Sequence, residues 1–125
     1  MNTKIIWAIR LIIAGIFLQT LYFKLTGSAE SIFIFSQIGL EPLGRYVVGF
    51  AELAASILIL IPATSFYGAV LALFIIVPAL FFHLTTLGIS VQGDHGLLFG
   101  LALIVLVLSI TLGSLTFPKK ALPKN

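Results

Sequence analysis

The sequence predicts an all-α polytopic membrane protein, a four-transmembrane-helix antiparallel bundle with a short interfacial segment between helices 1 and 2. Of the 125 residues, 60% are hydrophobic and only 9% are charged, with a mean hydropathy of +1.22, whereas a soluble domain has roughly 25% charged residues. Four apolar runs of about membrane-spanning length follow one another along the chain. These runs use almost all of it, so we expect a single membrane domain over 1–125 and no appended soluble enzyme domain.

The first span is predicted over residues 5–25, around an apolar run from Ile5 to about Phe23 that is bounded by Lys4 and Lys24. A cleaved signal peptide is the alternative for this run, but bulky residues such as Phe17 and Leu21 stand where a cleavage site needs small ones. Residues 26–40 mix polar and apolar side chains and are too few to span the bilayer. We therefore expect them to form a short amphipathic segment in the interface.

Proline and glycine residues punctuate the remaining three spans. The second span is predicted over 42–61, with Pro42 at its first helical position and Pro62 after its end. The third is predicted over 66–87, with Ser65 as its N-cap and a kink at Pro78. The fourth is predicted over about 95–117, ended by Pro118. Short connections make the neighbouring helices antiparallel.

The distribution of lysine and arginine predicts that both termini face the cytoplasm, in a bacterial inner membrane. The positive residues near the ends of the spans are Lys4, Arg10, Lys119, Lys120 and Lys124 on the side of the termini, against Lys24 and Arg45 on the other. The last three basic residues form a tail and not a nucleic-acid surface. The predicted partner is the lipid bilayer, with another membrane or redox protein as a further candidate and no nucleic acid.

The sequence has no cysteine. This excludes cysteine redox chemistry, Fe–S clusters, cysteine zinc sites and disulfides carried by the chain. No metal site is predicted, because Glu52 with one histidine is too sparse a ligand set. Haem ligation by two histidines, His83 and His95, is disfavoured because nothing sets them on a common face.

Three ionisable residues are predicted to lie within the spans, and such residues are functional-site candidates by default: Arg10, Glu52 and His83. Counted from the cytoplasmic ends of their helices at about 1.5 Å per residue, Arg10 lies roughly 9 Å deep and Glu52 roughly 13 Å deep. This similarity predicts a buried ion pair between them. The alternative is that such a pair only fixes the register of the two helices.

Two helix faces are predicted to point inward and to carry the candidate site. One face of the second span carries Arg45, Gly49, Glu52 and Ser56, and a stripe on the first carries Arg10, Ala14, Phe17, Leu21 and Lys24. His83 lies at the level of Lys24, near the non-cytoplasmic ends. We expect a ligand between Glu52 and an entrance lined by His83 and Lys24. The alternatives are a solid bundle, with His83 hydrogen-bonded to a neighbouring helix, Asp94 as an N-cap and His95 in interfacial water.

The runs 10–25 (RLIIAGIFLQTLYFKL), 35–40 (FSQIGL) and 47–54 (VVGFAELA) resemble the first helix, the interfacial segment and the acidic second helix of the DoxX family of small four-helix membrane proteins. The residues that carry the likeness are Arg10, Phe17, Lys24 and Glu52, in this order. The resemblance implies a membrane subunit linked to quinone chemistry, because the family is named for a small subunit of a thiosulfate:quinone oxidoreductase. It carries over Arg10, Lys24 and Glu52 as ligand-binding candidates, to which His83 is added from its depth.

Three functions compete at this stage. The first is a redox-linked or quinone-associated membrane subunit, at most one subunit of a quinone-linked oxidoreductase, with quinone as the candidate cofactor. The second is a non-catalytic scaffold or assembly partner that docks another protein through its short loops. The third is a small proton-coupled transporter, which is disfavoured because such transporters carry an unpaired glutamate on their first helix. The sequence alone does not separate the first two.

Overall fold

The protein is a bundle of helices, as the computed structural model of residues 2–118 shows. The α-helices are α1 (Thr3–Thr26), α2 (Ala29–Gln37), α3 (Leu43–Leu60), α4 (Ser65–Phe82) and α5 (Leu97–Leu115). A 3₁₀ turn at Pro62–Thr64 joins α3 to α4, and a π-turn at His83–Leu87 continues α4. The predicted all-α class, with four long helices and a short segment between the first two, is confirmed.

The ends of the helices follow local sequence signals. Gly27 ends α1 in the left-handed region at φ 68°, which costs glycine no steric energy. The Ser28 hydroxyl then accepts a hydrogen bond from the backbone N–H of Ser31 and caps α2. The helix α5 begins two residues later than expected, because His95 and Gly96 both have positive φ.

The predicted third span differs from the structure at both ends. Ser65 is not an N-cap but the first residue of α4, and its hydroxyl donates to the carbonyl of Ile59 at 2.8 Å. At the other end, the regular helix stops at Phe82 and the chain widens into the π-turn. A π-turn closes its hydrogen bonds over five residues instead of four, so the residues after Phe82 no longer follow the α-helical period.

The helices pack in chain order around one core. α1 packs against α3, α3 against α4 and α4 against α5, while α1 also contacts α5 and closes the bundle. We call the end with the start of α1, the 3₁₀ turn and the end of α5 the terminal end, and the opposite end, with α2 and the α4–α5 connection, the loop end. The core consists of Ile9, Ile13, Phe17, Ala55, Ile59, Ala69, Ala72, Ile76, Leu80, Ala102, Val105 and Leu112.

The α3–α4 contact depends on Gly68. A Cβ atom at this position would lie 2.6 Å from the backbone nitrogen of Ile59, closer than real Cβ contacts. The two backbones therefore meet here with no room for a side chain, as is common where membrane helices pack.

The outer surface of the bundle is apolar. Leu43 and Phe74 are 73% and 74% exposed, and Tyr22 and Leu84 are also largely exposed. Within residues 2–118, four segments are long and apolar enough to cross a membrane: α1, α3, the stretch 62–87 and α5. The chain is therefore that of an integral membrane protein. The predicted basic tail, with Lys119, Lys120 and Lys124, lies outside the described residues.

Candidate functional site

The predicted ion pair between Arg10 and Glu52 is wrong. Arg10 is buried, but its Nε donates a hydrogen bond to the Ser65 hydroxyl at 2.9 Å, and its guanidinium carbon lies 4.8 Å from the ring centroid of Trp7. A neutral hydroxyl and the negative face of an indole thus replace the expected carboxylate. Arg10 belongs to the terminal end of the bundle and does not line the candidate site described below.

Glu52 pairs instead with Lys24, the residue predicted to line the entrance. The Lys24 Nζ lies 3.2 Å from Glu52 Oε1 and 3.3 Å from Oε2, and the Thr20 hydroxyl donates to Oε2 at 2.7 Å. The side chain of Glu52 is only 4% exposed and that of Lys24 16%. Because a lone buried carboxylate would be very unfavourable, Lys24 and Thr20 together allow Glu52 to stay in the bundle.

The offset between α1 and α3 explains this change of partner. Arg10 is level with Ser65, just past the end of α3, whereas Glu52 is level with Thr20. Ten residues of α1 separate the two levels, or about 15 Å. Arg10 and Glu52 have similar depths when each is counted from the end of its own helix. These two helix ends are not level, however, because α1 extends past the end of α3. The sequence of neither helix alone shows this extension.

Arg45 fixes the α1–α3 offset at the loop end. Its guanidinium binds both carboxylate oxygens of Glu41 at 2.9 and 3.0 Å and donates through Nη1 to the backbone carbonyl of Lys24. This carbonyl belongs to the last turn of α1, where it also accepts a long hydrogen bond of 3.4 Å from the Gly27 N–H. Arg45 therefore ties the end of α1 to the start of α3.

His83 is held at the start of the π-turn. It is buried, its Nδ1 lies 3.0 Å from the Gly88 carbonyl oxygen, and its ring packs edge-on against Phe99. A carbonyl only accepts hydrogen bonds, so Nδ1 must carry the proton. In the neutral ring, Nε2 is then an acceptor, and it has no hydrogen-bond partner within residues 2–118.

A cavity of about 550 Å³ lies between the four long helices and α2, toward the loop end. This volume is in the range of small-molecule sites, roughly 300–1,000 Å³. Its polar lining includes Thr20, Lys24, Glu52 and His83; its apolar lining includes Ile16, Phe17, Phe23, Ile34, Phe35, Ile38, Val48, Ile75, Ile76, Phe82, Leu98 and Leu101. An apolar chamber with a few polar groups is typical of a site for a lipid-like ligand.

One atom of the site lacks a hydrogen-bond donor. Glu52 Oε1 is fully buried, and although it lies within ionic distance of Lys24 Nζ, no hydrogen bond reaches it from the described part of the chain. Its neighbour Oε2 receives the hydrogen bonds from both Thr20 and Lys24. Since Glu52 lines the cavity, its carboxylate has one acceptor left for another partner.

Asp94 borders the cavity and organises the loop before α5. Its carboxylate accepts hydrogen bonds from the backbone N–H groups of Val91, Gly96 and Leu98. Burial raises the pKa of Asp94, but these hydrogen bonds outweigh that effect and hold the pKa below its usual range. The predicted N-cap role of Asp94 is wrong, because the N-cap of α5 is Gly96, although Asp94 still accepts a hydrogen bond from Leu98 in the first turn of α5. His95 is exposed and does not line the cavity.

Of the four predicted site residues, the structure places Lys24, Glu52 and His83 around one cavity and Arg10 outside it. Within residues 2–118, no three His, Asp or Glu side chains form a cluster that could hold a metal ion. Thr20 is a site residue that the sequence did not predict, although it stands four residues before Lys24 and so shares its helix face. The wall that α2 supplies to the cavity was not predicted either.

Comparison of the chain with protein-family models, with curated proteins and with solved structures found no match.

Proposed function

We propose that this protein is a small membrane subunit that binds a quinone, or a lipid-like molecule with a similar ring, in the cavity at the loop end, and that it serves a redox system of the membrane. The cavity of about 550 Å³ beside Lys24, Glu52 and His83 is the observation that carries this proposal. Its apolar walls suit a ring with a hydrocarbon tail, while the polar groups suit the oxygen atoms of the ring.

Membership of the DoxX family is part of the proposal, supported by the order of Arg10, Phe17, Lys24 and Glu52 in the sequence. The chain has no cysteine, so any thiol or Fe–S chemistry of the system would belong to a partner protein. The expected role of this subunit is therefore to hold the ligand in the membrane next to such a partner.

A proton-coupled transporter fits the site less well. Glu52 is tied to α1 through its ion pair with Lys24 and its hydrogen bond from Thr20. A carboxylate that must release and rebind protons during transport would gain little from a fixed cation at 3.2 Å. The assembly-partner hypothesis does not require a ligand in the cavity. If the cavity binds no ligand, this hypothesis still holds.

The test is to purify the protein in mild detergent, extract bound lipids and measure quinone by chromatography and ultraviolet absorption. Binding of a short-tailed quinone to the stripped protein is then measured by calorimetry. We expect co-purified quinone and saturable binding. If neither occurs, the quinone proposal is wrong and the assembly-partner hypothesis stands.

A cavity-filling variant with a matched control tests the location. Ala79 lines the cavity, whereas Ala54 is exposed on the outside of α3. Ala79→Phe is expected to weaken quinone binding at least about tenfold, because the ring occupies ligand space, and Ala54→Phe should leave it unchanged. Equal loss in both variants would place the ligand elsewhere.

The proposed localisation is the bacterial inner membrane, with the terminal end facing the cytoplasm, as the excess of Lys and Arg around the termini indicates. We expect a phosphatase fused after Asn125 to be inactive and one inserted after Gln92, in the exposed α4–α5 connection, to be active. An active phosphatase at the C-terminus would reverse this orientation.

A further inference from the structure

We propose that the cavity selects the reduced, hydroxyl-bearing form of its ring ligand, a hydroquinone, over the quinone, because a buried carboxylate oxygen on its wall receives no hydrogen bond from the described residues. This inference rests on the proposed function and specifies the chemistry of the bound head group. The unpartnered acceptor Glu52 Oε1 on the cavity wall is its main support.

The donors next to the ion pair leave Glu52 Oε1 without a hydrogen bond. Thr20 gives its hydroxyl proton to Glu52, and His83 gives its Nδ1 proton to the Gly88 carbonyl. Lys24 donates a hydrogen bond to Glu52 Oε2 at 3.3 Å, and its Nζ lies 3.2 Å from Oε1 without donating to it. An ammonium has three N–H groups, so Lys24 can also donate to a ligand oxygen.

An acceptor of the site stays free. Glu52 Oε1 is buried and receives no hydrogen bond from the described residues. An acceptor left without a donor in an apolar chamber is unfavourable. A bound ligand that supplies an O–H group to Glu52 removes this cost.

A hydroxyl group satisfies the site better than a carbonyl does. A hydroquinone oxygen can donate its proton to Glu52 while accepting from Lys24, so both partners are used. A quinone carbonyl can accept a hydrogen bond from Lys24 but cannot donate one. Its lone pairs would repel those of the Glu52 carboxylate, whose Oε1 would still lack a donor. A hydrogen bond to a charged group then gives a preference for the hydroquinone of about tenfold.

Three probes with the same decyl tail test the inference on the purified parent protein: a hydroquinone kept reduced under argon, the corresponding quinone, and the dimethyl ether of the hydroquinone. The ether retains the ring but has no O–H group. We expect the hydroquinone to bind about tenfold more tightly than either other probe. Equal binding of all three would overturn the selectivity and leave the proposed function intact, whereas no binding of any probe would overturn both.

Two matched variants assign the preference to its atom. Glu52→Gln replaces the carboxylate by an amide that donates as well as accepts, so the ratio of hydroquinone to quinone affinity should fall below about threefold. Glu41→Gln makes the same change outside the cavity and should keep the parent ratio. If the parent shows the preference and Glu52→Gln retains it, Glu52 is not its source and the inference is wrong.

Discussion

The terminal and loop halves of the bundle use buried charge in different ways. At the terminal end, Arg10 binds a hydroxyl and an aromatic ring, and the α3 and α4 backbones touch at Gly68. At the loop end, Lys24 and Glu52 form an ion pair beside a cavity of about 550 Å³. The comparison teaches that a charge inside a membrane helix points to a ligand site only where the packing around it leaves space.

The largest expected effect comes from breaking the ion pair at the loop end. Lys24→Met leaves Glu52 uncompensated with its side chain 4% exposed, and we expect a loss of about 3–5 kcal/mol of stability. Glu52→Leu should cost less, because the long lysine side chain can reach a polar surface. The double variant should be milder than Lys24→Met alone. Thermal unfolding in detergent measures the cycle.

A second cycle tests whether the two halves are independent. Arg10 and Glu52 differ by about 15 Å in level, so the effects of Arg10→Met and Glu52→Leu should add within about 0.5 kcal/mol. Strong coupling between the two substitutions would support the ion pair of Arg10 with Glu52 that the sequence predicted. It would contradict the difference in level between these two residues.

A smaller effect is expected from glycine substitutions that probe the packing difference. Gly68→Ala places a Cβ 2.6 Å from the Ile59 backbone nitrogen, and relieving this overlap should cost about 1–3 kcal/mol. Gly49→Ala is the matched change between α1 and α3, where the new Cβ would meet the ends of the Leu25 and Leu21 side chains at 3.3 and 3.4 Å. These side chains can move, so the loss should be smaller. Equal losses would show that the terminal half is no tighter.

The smallest effect concerns Asp94 at the edge of the cavity. Asp94→Ala removes three backbone hydrogen bonds and should cost about 1 kcal/mol at pH 7. Because its folded pKa is depressed, the ionised carboxylate stabilises the fold above its ordinary pKa of about 3.9, and this contribution is lost as the pH falls through the lower folded value. The stability difference from the parent should therefore shrink below about pH 4.

Asp94→Asn is the control for charge, since the amide oxygen still accepts a hydrogen bond. We expect it to cost less than Asp94→Ala and to show no change in its own contribution between pH 7 and pH 3. A difference between parent and Asp94→Ala that stays constant over this range would show that the loop does not depend on the carboxylate charge.

The sequence predicted the spans and their inward faces well, because both depend on local patterns. The expected face of the second span, with Arg45, Gly49, Glu52 and Ser56, is buried as expected. The partner of Glu52 was predicted wrongly, because it depends on how far α1 slides along α3. This offset is set by contacts between helices, such as Arg45 with the Lys24 carbonyl, which no periodicity encodes.

The cavity itself was expected only as a region between Glu52, Lys24 and His83. Its outer wall comes from α2, a nine-residue helix predicted as an interfacial segment. Ile34 and Phe35 on α2 line the cavity, but a short apolar pattern does not specify whether a helix faces lipid or covers a chamber. Tertiary placement decides this.

The π-turn at His83–Leu87 makes the tautomer of His83 depend on the number of residues in the turn and not on the identity of their side chains. The group that fixes its tautomer is a backbone carbonyl, at Gly88, which every substitution at Leu84, Thr85 or Thr86 preserves. Deleting any one of these three residues would shift the following backbone by one position and withdraw that carbonyl. In evolutionary terms, the segment should tolerate replacements and resist single-residue deletions, so its length carries the functional information.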